Sequence, residues 1–554
     1  MQTLGTADYI VFLIYFLIVS IYGFSVYQKK KKQEENSKDF FLAKDSLTWW
    51  AIGASLIASN ISAEQMIGMS GDGFKLGLAI ATYEWMAAAT LMIVAIFFIP
   101  VYLKNKIYTM PQFLHQRYNS TVAMIMAIFW LLLYVVVNLT AILYLGALAI
   151  NSISGINLTA CMYMLAIFAI IITLGGMKVI GYTDVIQVFF LILGGLATTY
   201  LAIQLVSTHY NTTGIFNGLD IMADKASDHF HMILHKENVN YISLPGLTVL
   251  IGGMWIVNLN YWGCNQYITQ RALGADLKTA RSGLLFAAFL KLLMPIIVVL
   301  PGIAAYILYS DGQFQTEMLE NGVLRPDKAY PVLLNLLPPG LKGLSFAALT
   351  AAIVASLAGK ANSIATIFTL DVYNKVINKN ASEDKQVSVG RITVIVAMLI
   401  AVVISPFLGI EKGGFVFIQE YTGFVSPGIF AMFILGFFWK RTTSNAALFA
   451  TIGGFLLSVA FKILPNYVDL SFLASSGFAA IEKGIYIIPF LDRMGFVFII
   501  CIIVMAIISL YETRNGANPK GLEIDSKMFK TSPGFAVGAL LITGILVALY
   551  TLFW

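Results

Sequence analysis

The sequence predicts an all-α membrane protein that crosses the bilayer about fourteen times, and three observations carry that prediction. Of its 554 residues, 58% are hydrophobic and only 12% charged, with a mean hydropathy of +0.80; soluble domains are roughly 45–50% apolar and 25% charged. Apolar runs near or above the roughly 20 residues a spanning helix needs recur along the whole chain. Two of those runs carry amides, hydroxyls and, in one of them, a carboxyl group at mid-length, where lipid would penalise them.

In order, the runs cover residues 8–27, 48–72, 77–102, 121–149, 157–176, 182–206, 246–268, 284–309, 342–372, 391–409, 415–438, 445–464, 488–511 and 534–554. The first, Tyr9 to Tyr27, is too long for the apolar part of a secretory signal and precedes no small-residue cleavage pattern, so it reads as a retained span. The basic residues then orient the chain. Twenty-three of the 35, from Lys29–Lys32 through Arg117, Arg271 and Arg281 to Lys530, fall on one side, which the positive-inside rule makes cytoplasmic and which puts both termini outside. Ten lie on the other side, mostly in long loops, and Lys291 and Lys360 remain inside spans. The net charge of +6 is therefore topology, with lipid head groups as the partner of basic clusters and no nucleic acid implied.

The second run, Ala51 to Gly71, holds Asn60, Ser62, Glu64 and Gln65 near its middle. A helix interrupted there, facing protein or a water-filled cavity, turns loosened carbonyls and half-helix ends into an ion and substrate site. Leu250 to Gln266 repeats the pattern with Asn258, Asn260, Tyr261 and Asn265, crossing in the opposite direction. Each opens a group of five runs, so an inverted repeat follows from polarity and count: residues 1–47 are a leading helix and cytoplasmic linker, 48–206 the first repeat, 207–245 an extracellular loop, 246–438 the second repeat and 439–554 the trailing helices.

Other polar residues within runs are Glu84, Asn138, Lys291, Lys360, Gln419 and Glu420. Singly, each is as well explained by a hydrogen bond between helices. Together with Tyr83, Tyr261, Trp262 and Phe415 they suit a hydroxyl-rich solute: carboxylates accept, amides do both, an ammonium donates, and rings stack or close over a sugar. The small-residue run Phe346 to Ser363 suits close helix packing; alternatively Ser356 Oγ and nearby carbonyls face the break at Ala58 and Ile61, an all-oxygen shell for a hard alkali cation. Both readings stand at this level.

Other classes find little support. There is no GxxxxGK[ST] loop for an ATP-driven pump, no nucleophile elbow and no HExxH. Cys161, Cys264 and Cys501 lie singly in apolar runs, as buried small hydrophobes do. His209, His229, His231 and His235 belong to a polar loop, and Gly175-Gly176 and Gly252-Gly253 read as caps or packing points.

The motifs Ser55-Leu56-Ile57-Ala58-Ser59-Asn60-Ile61-Ser62-Ala63-Glu64-Gln65, Tyr83-Glu84-Trp85-Met86, Val137-Asn138-Leu139-Thr140, Tyr182-Thr183-Asp184-Val185-Ile186-Gln187 and Gln419-Glu420-Tyr421-Thr422-Gly423 resemble the solute:sodium symporter family over nearly the whole chain. The resemblance implies the leucine-transporter type of fold, with two inverted five-helix repeats, one leading and three trailing helices. It implies sodium-driven uptake of a hexose such as galactose or glucose across the cell membrane, with sodium as coupling ion, no cofactor and no enzymatic step. Carried over residue by residue, it implies sugar contacts from Gln65, Glu84, Asn138, Asn258, Lys291 and Gln419, with Tyr261 stacking as inner gate and Met69, Tyr83 and Phe415 as outer gate. It also implies sodium held by carbonyls of Ala58, Ile61 and Ala352 and the hydroxyl of Ser356, with Asp184 on the exit path.

Ala87 and Ala355 stand where the family pattern carries serines, leaving room for another solute (another sugar, an acidic sugar or a polyol) and for weaker sodium binding. A sugar sensor without transport is the remaining alternative. Lys360, four residues after Ser356 and on the same helical face, either snorkels to the cytoplasmic surface, or pairs with Asp184 and perturbs ion release, or supplies a cation where sodium would sit.

Overall fold

A computed structural model describes residues 4–30, 48–174, 177–320, 322–407 and 414–554. Lys31, Lys32, Lys38, Lys44, Lys412 and Gly175-Gly176 lie outside the described residues, as do the side chains of Lys29, Lys30, Lys178 and Asp184. Helix follows helix from Thr6 to Leu552. The strands among the described residues are two small hairpins in the polar connections, Leu319–Glu320 with Val323–Leu324 and Ala480–Glu482 with Ile485–Ile487.

Among the described residues nine helices are long and apolar enough to cross a bilayer, or ten if Gly414–Thr422 and Ser426–Phe438, bent by 53°, form one span. The expected figure of about fourteen is not confirmed. Breaks cut some crossings below spanning length, and Leu158–Thr173 has only 16 residues. Elsewhere two crossings run together: Glu64–Lys104 is continuous except for a corner at Gly77, whose φ of +68° favours glycine and where a Cβ would meet His229 O at 2.4 Å.

Both expected interruptions are present. Trp49–Asn60 ends as Ile61 turns to φ −73°, ψ 102°, and the chain re-enters helix through a wide i→i+5 turn, Glu64–Met69, before Ser70–Leu76. The second crossing breaks at Gly252, between Leu247–Ile251 and Gly253–Cys264, and again at Asn265, before Gln266–Leu273. Both breaks fall within Leu250 to Gln266, the stretch where the sequence expects an interruption. Asn258 and Asn260 sit on intact turns, and the chain leaves the helix at Asn265, whose side chain accepts from Tyr267 N–H and caps the next segment.

The first broken helix packs against the long helix Leu277–Ser310 through glycines on both partners. A Cβ would stand 2.8 Å from Gly283 O at Gly53, 2.9 Å from Val299 O at Gly73 and 2.2 Å from Ser70 O at Gly302. Small residues let these backbones approach, which is how helices gain dispersion energy in lipid. Helix Leu341–Ile367 lies against the other side of Trp49–Asn60.

Three of the arginines that the sequence assigns to the cytoplasmic side are buried. Arg117 donates to the carbonyls of Gly436 (2.8 Å), Trp439 (2.9 Å) and Thr442 (3.0 Å), closing the end of Ser426–Phe438. Arg271 donates to Ser55 Oγ and Tyr267 O, and Arg281 to Ala95, Met528 and Lys530 carbonyls. A guanidinium at a helix C-terminus satisfies orphan carbonyls and meets the negative end of the dipole.

Candidate functional site

The two broken helices meet at a central cavity. Gln65, Glu84, Asn138, Asn258, Tyr261, Lys291 and Gln419, the seven residues expected to contact solute, all line it, as do Tyr83 and Phe415. Gln65 and Asn138 ride on i→i+5 turns, Glu64–Met69 and Leu133–Leu139, a local widening common at functional sites because it re-aims side chains and loosens carbonyls.

Two lysines enter the cavity with different partners. Lys291 Nζ donates to Asn60 Oδ1 and Glu84 Oε2 and lies 5.2 Å above the Trp262 ring. Both members of this ion pair are almost fully buried. Asn60 Nδ2 in turn donates to Tyr261 OH at 3.3 Å, so the first broken helix, the second and the long helix are tied at one polar knot. Lys360 neither snorkels nor lies at the surface: it is 4% exposed, donates to Asn138 Oδ1 at 2.9 Å and stands 4.8 and 5.5 Å from the rings of Tyr267 and Tyr134. Pairing with Asp184 falls on a side chain outside the description.

One wall of the cavity closes on aromatic rings. Tyr83 and Phe415 meet edge-to-face with centroids 4.9 Å apart, and Gly68 allows the contact, since a Cβ there would lie 2.8 Å from Phe415 N. The start of Gly414–Thr422, which carries Phe415 and Gln419, is held by two buried carboxylates: Asp327 Oδ1 accepts from Gly414 N–H at 3.2 Å and Asp72 Oδ2 from Val416 N–H at 3.1 Å. Acidic groups at a helix N-terminus are favoured by orphan amides and dipole alike. Met69 is fully buried but does not line the cavity. Glu420 is engaged elsewhere, accepting from Lys462 (2.5 Å) and Arg493 (2.8 Å).

The profile of the sodium:solute symporter family matches residues 40–454. A sodium/glucose cotransporter of Vibrio parahaemolyticus is 46% identical over 559 aligned positions, covering 100% of this chain and 99% of that protein. The chain belongs to the sodium:solute symporter family. The human sodium/myo-inositol cotransporter 2 is 32% identical over 83% of this chain and 70% of its own length. Among solved structures, a sodium-coupled sialic acid symporter superposes with a TM-score of 0.75 over 94% of this chain and 100% of that one at 21% identity, which establishes a common fold. This symporter is accordingly a multi-pass membrane transporter with sodium as coupling ion, and it is not an enzyme.

Of the symporter's expected sodium ligands, Ala58 and Ile61 flank the helix break, and Ala352 and Ser356 lie on Leu341–Ile367. At the break Ser62 N–H turns to Gln65 Oε1 at 3.4 Å, so the Ala58 carbonyl lacks its usual helical donor. Ala58, Ile61, Ala352 and Ser356 are all buried, and Ser356 Oγ has no hydrogen-bond partner among the described residues. A buried, unpartnered hydroxyl is of the kind that suits a hard, oxygen-preferring cation. Ala355, the neighbour of Ser356, is buried and adds no oxygen.

Several residues at the cavity were not assigned a role from sequence. Asn60, Glu64 and Asn265 line it and were visible only as misplaced polar groups, while Tyr134 and Tyr267, which do not line it but hold residues that flank it, carried no signal. Tyr134 OH donates to Asn265 Oδ1, and Tyr267 OH donates to Ser59 O at 2.8 Å, joining the lower parts of both broken helices.

Proposed function

We propose that this symporter takes up a neutral hexose such as galactose or glucose together with sodium, by alternating access, in a cell membrane with both termini outside. The observation that carries the reading is the charge balance of the cavity: Glu64 and Glu84 face Lys291 and Lys360 among amides and aromatic rings. Such a site offers acceptors and donors to hydroxyls without attracting net charge. Similarity to a protein named a sodium/glucose cotransporter supports it.

In this reading Gln65, Glu84, Asn138, Asn258, Lys291 and Gln419 hold the sugar hydroxyls, Tyr261 stacks beneath the ring, and Tyr83, Phe415 and Met69 close the outer side. Carbonyls of Ala58, Ile61 and Ala352 with Ser356 Oγ hold sodium, and Asp184 lies on its exit path. Each sodium moving inward contributes about 2.3 kcal/mol per 100 mV of membrane potential besides its gradient. Sodium and sugar shift the equilibrium between outward and inward states only through their differential affinity for the two.

Counterflow of labelled galactose in proteoliposomes tests the proposal: exchange in sodium that vanishes when choline replaces it is the expected result. The myo-inositol relatives favour a polyol as second reading. Competition decides between them, because a polyol carrier is inhibited by myo-inositol and ignores galactose and glucose.

A further inference from the structure

The two acid–base couples in the cavity differ in a way that the reading above leaves unused. Lys291 and Glu84 are joined directly, and Lys291 has Asn60 as a second acceptor. Glu64 and Lys360 line the same cavity and feel one another's charge, yet no hydrogen bond or ion pair joins them. Glu64 Oε1 is buried without any hydrogen-bond partner among the described residues. The Lys360 ammonium has three donors and, among the described residues, one hydrogen-bond acceptor, Asn138 Oδ1; the rings of Tyr134 and Tyr267 lie within 5.5 Å. A free buried acceptor and free buried donors, of opposite charge and separated across one cavity, are costly unless a ligand completes them.

We propose that Glu64 and Lys360 form a second hydroxyl-binding subsite, which takes two neighbouring hydroxyls of a neutral sugar and excludes charged sugars. One hydroxyl donates to Glu64 Oε1 while the oxygen beside it accepts from Lys360 Nζ. A sugar carboxylate would be set against Glu64 and a sugar ammonium against Lys360, so the couple selects by repulsion as well as by fit. The two residues come from different repeats, Glu64 from the first broken helix and Lys360 from Leu341–Ile367, so the ligand that bridges them also bridges the repeats. This inference rests on hexose transport as proposed above.

The test is sodium-driven uptake by the full-length protein in proteoliposomes, with competing deoxy analogues that lack each sugar hydroxyl in turn. Wild type is expected to lose about tenfold in apparent affinity for analogues missing either of two adjacent hydroxyls. Glu64→Gln loses about tenfold for the parent sugar and nothing further for the analogue missing the hydroxyl that donates to Glu64, and Lys360→Met behaves in the same way toward the analogue missing the neighbouring oxygen. Glu64→Gln becomes sensitive to a hexuronate that leaves wild type unaffected, and Lys360→Met to an amino sugar. Glu64→Gln is nearly isosteric and carries the test alone if Lys360→Met fails to insert.

Variants that retain parent affinity, or that weaken equally for every analogue, overturn the subsite while leaving hexose transport intact. Absence of any sodium-driven hexose uptake by wild type overturns the proposed function, and the subsite with it.

Discussion

Leu341–Ile377 and Pro533–Leu552 are both spans by length, but they solve the membrane problem in opposite ways. The first has a mean hydropathy of 1.7 across its most apolar stretch and is 83% buried there; the second has 2.3 and is 17% buried. In a soluble protein the more apolar helix would be the buried one. Here the interior helix carries Ser356, Lys360, Asn362 and Ser363, all buried, whereas the trailing helix exposes Val537, Leu540, Leu541 and Val547. Lipid tails are as apolar as leucine, so hydrophobicity does not sort helices inward. Polar and small residues do, because only protein or cavity can satisfy them.

If that contrast is right, damage falls steeply from the interior to the rim. The largest effect is expected at Lys291→Met, which leaves the buried Glu84 carboxylate without its cation: a loss of about 3–5 kcal/mol, read as a marked fall in the unfolding temperature in detergent, with uptake abolished. Adding Glu84→Gln should restore much of the stability and none of the uptake; a double variant as unstable as the single one would break the comparison.

Next comes Gly302→Val, whose side chain would enter the space of Ser70 O, with the Cβ alone at 2.2 Å. Overpacking of this kind costs about 1–3 kcal/mol, and a Val variant as stable as wild type would show that the helix contact is looser than the glycines imply.

A pH effect of intermediate size should arise at Asp327, in the connection before Leu341–Ile377. Burial pushes its carboxyl up to about 7, against about 3.9 for an unfolded aspartate. Between those values the folded protein holds a proton that the unfolded chain has lost, so stability falls as pH rises from about 4 to about 7. Unfolding temperatures across that window should decline in wild type and decline less steeply in Asp327→Asn, which keeps an oxygen to accept from Gly414 N–H.

The smallest effect is expected at the rim. Leu541→Ala, on a residue 64% exposed, should change the detergent unfolding temperature by less than the equivalent of about 0.5 kcal/mol. A large loss there would mean that the trailing helix is covered by protein after all.

Much of the site was legible because polar residues are conspicuous in apolar runs. Gln65, Glu84, Asn138, Asn258, Lys291 and Gln419 stood out as polar residues within runs, and the family resemblance rather than the residues singly gave them a role, while the break at Ile61–Ala63 followed from crowding of Asn60, Ser62, Glu64 and Gln65. What could not be read was partnership. Lys360 contacts Asn138, 222 positions away, and no local pattern announces such a pair. Glu420 looked like its neighbour Gln419 until Lys462 and Arg493 were found to occupy it. Within Leu250 to Gln266 the amides did not show at which residue the helix would break, because amides mark polarity, whereas the break at Asn265 is set by where a cap forms.

By itself the sequence determined a helical membrane protein, the approximate positions of its crossings, and the polar residues that had to find partners inside, since each follows from the cost of transferring side chains and bare peptide groups into hydrocarbon. Only the tertiary structure decided which polar groups satisfy one another and which remain open to a ligand. Helix packing brings residues hundreds of positions apart within hydrogen-bond reach, and that choice separates the closed couple of Lys291 and Glu84 from the open one of Lys360 and Glu64.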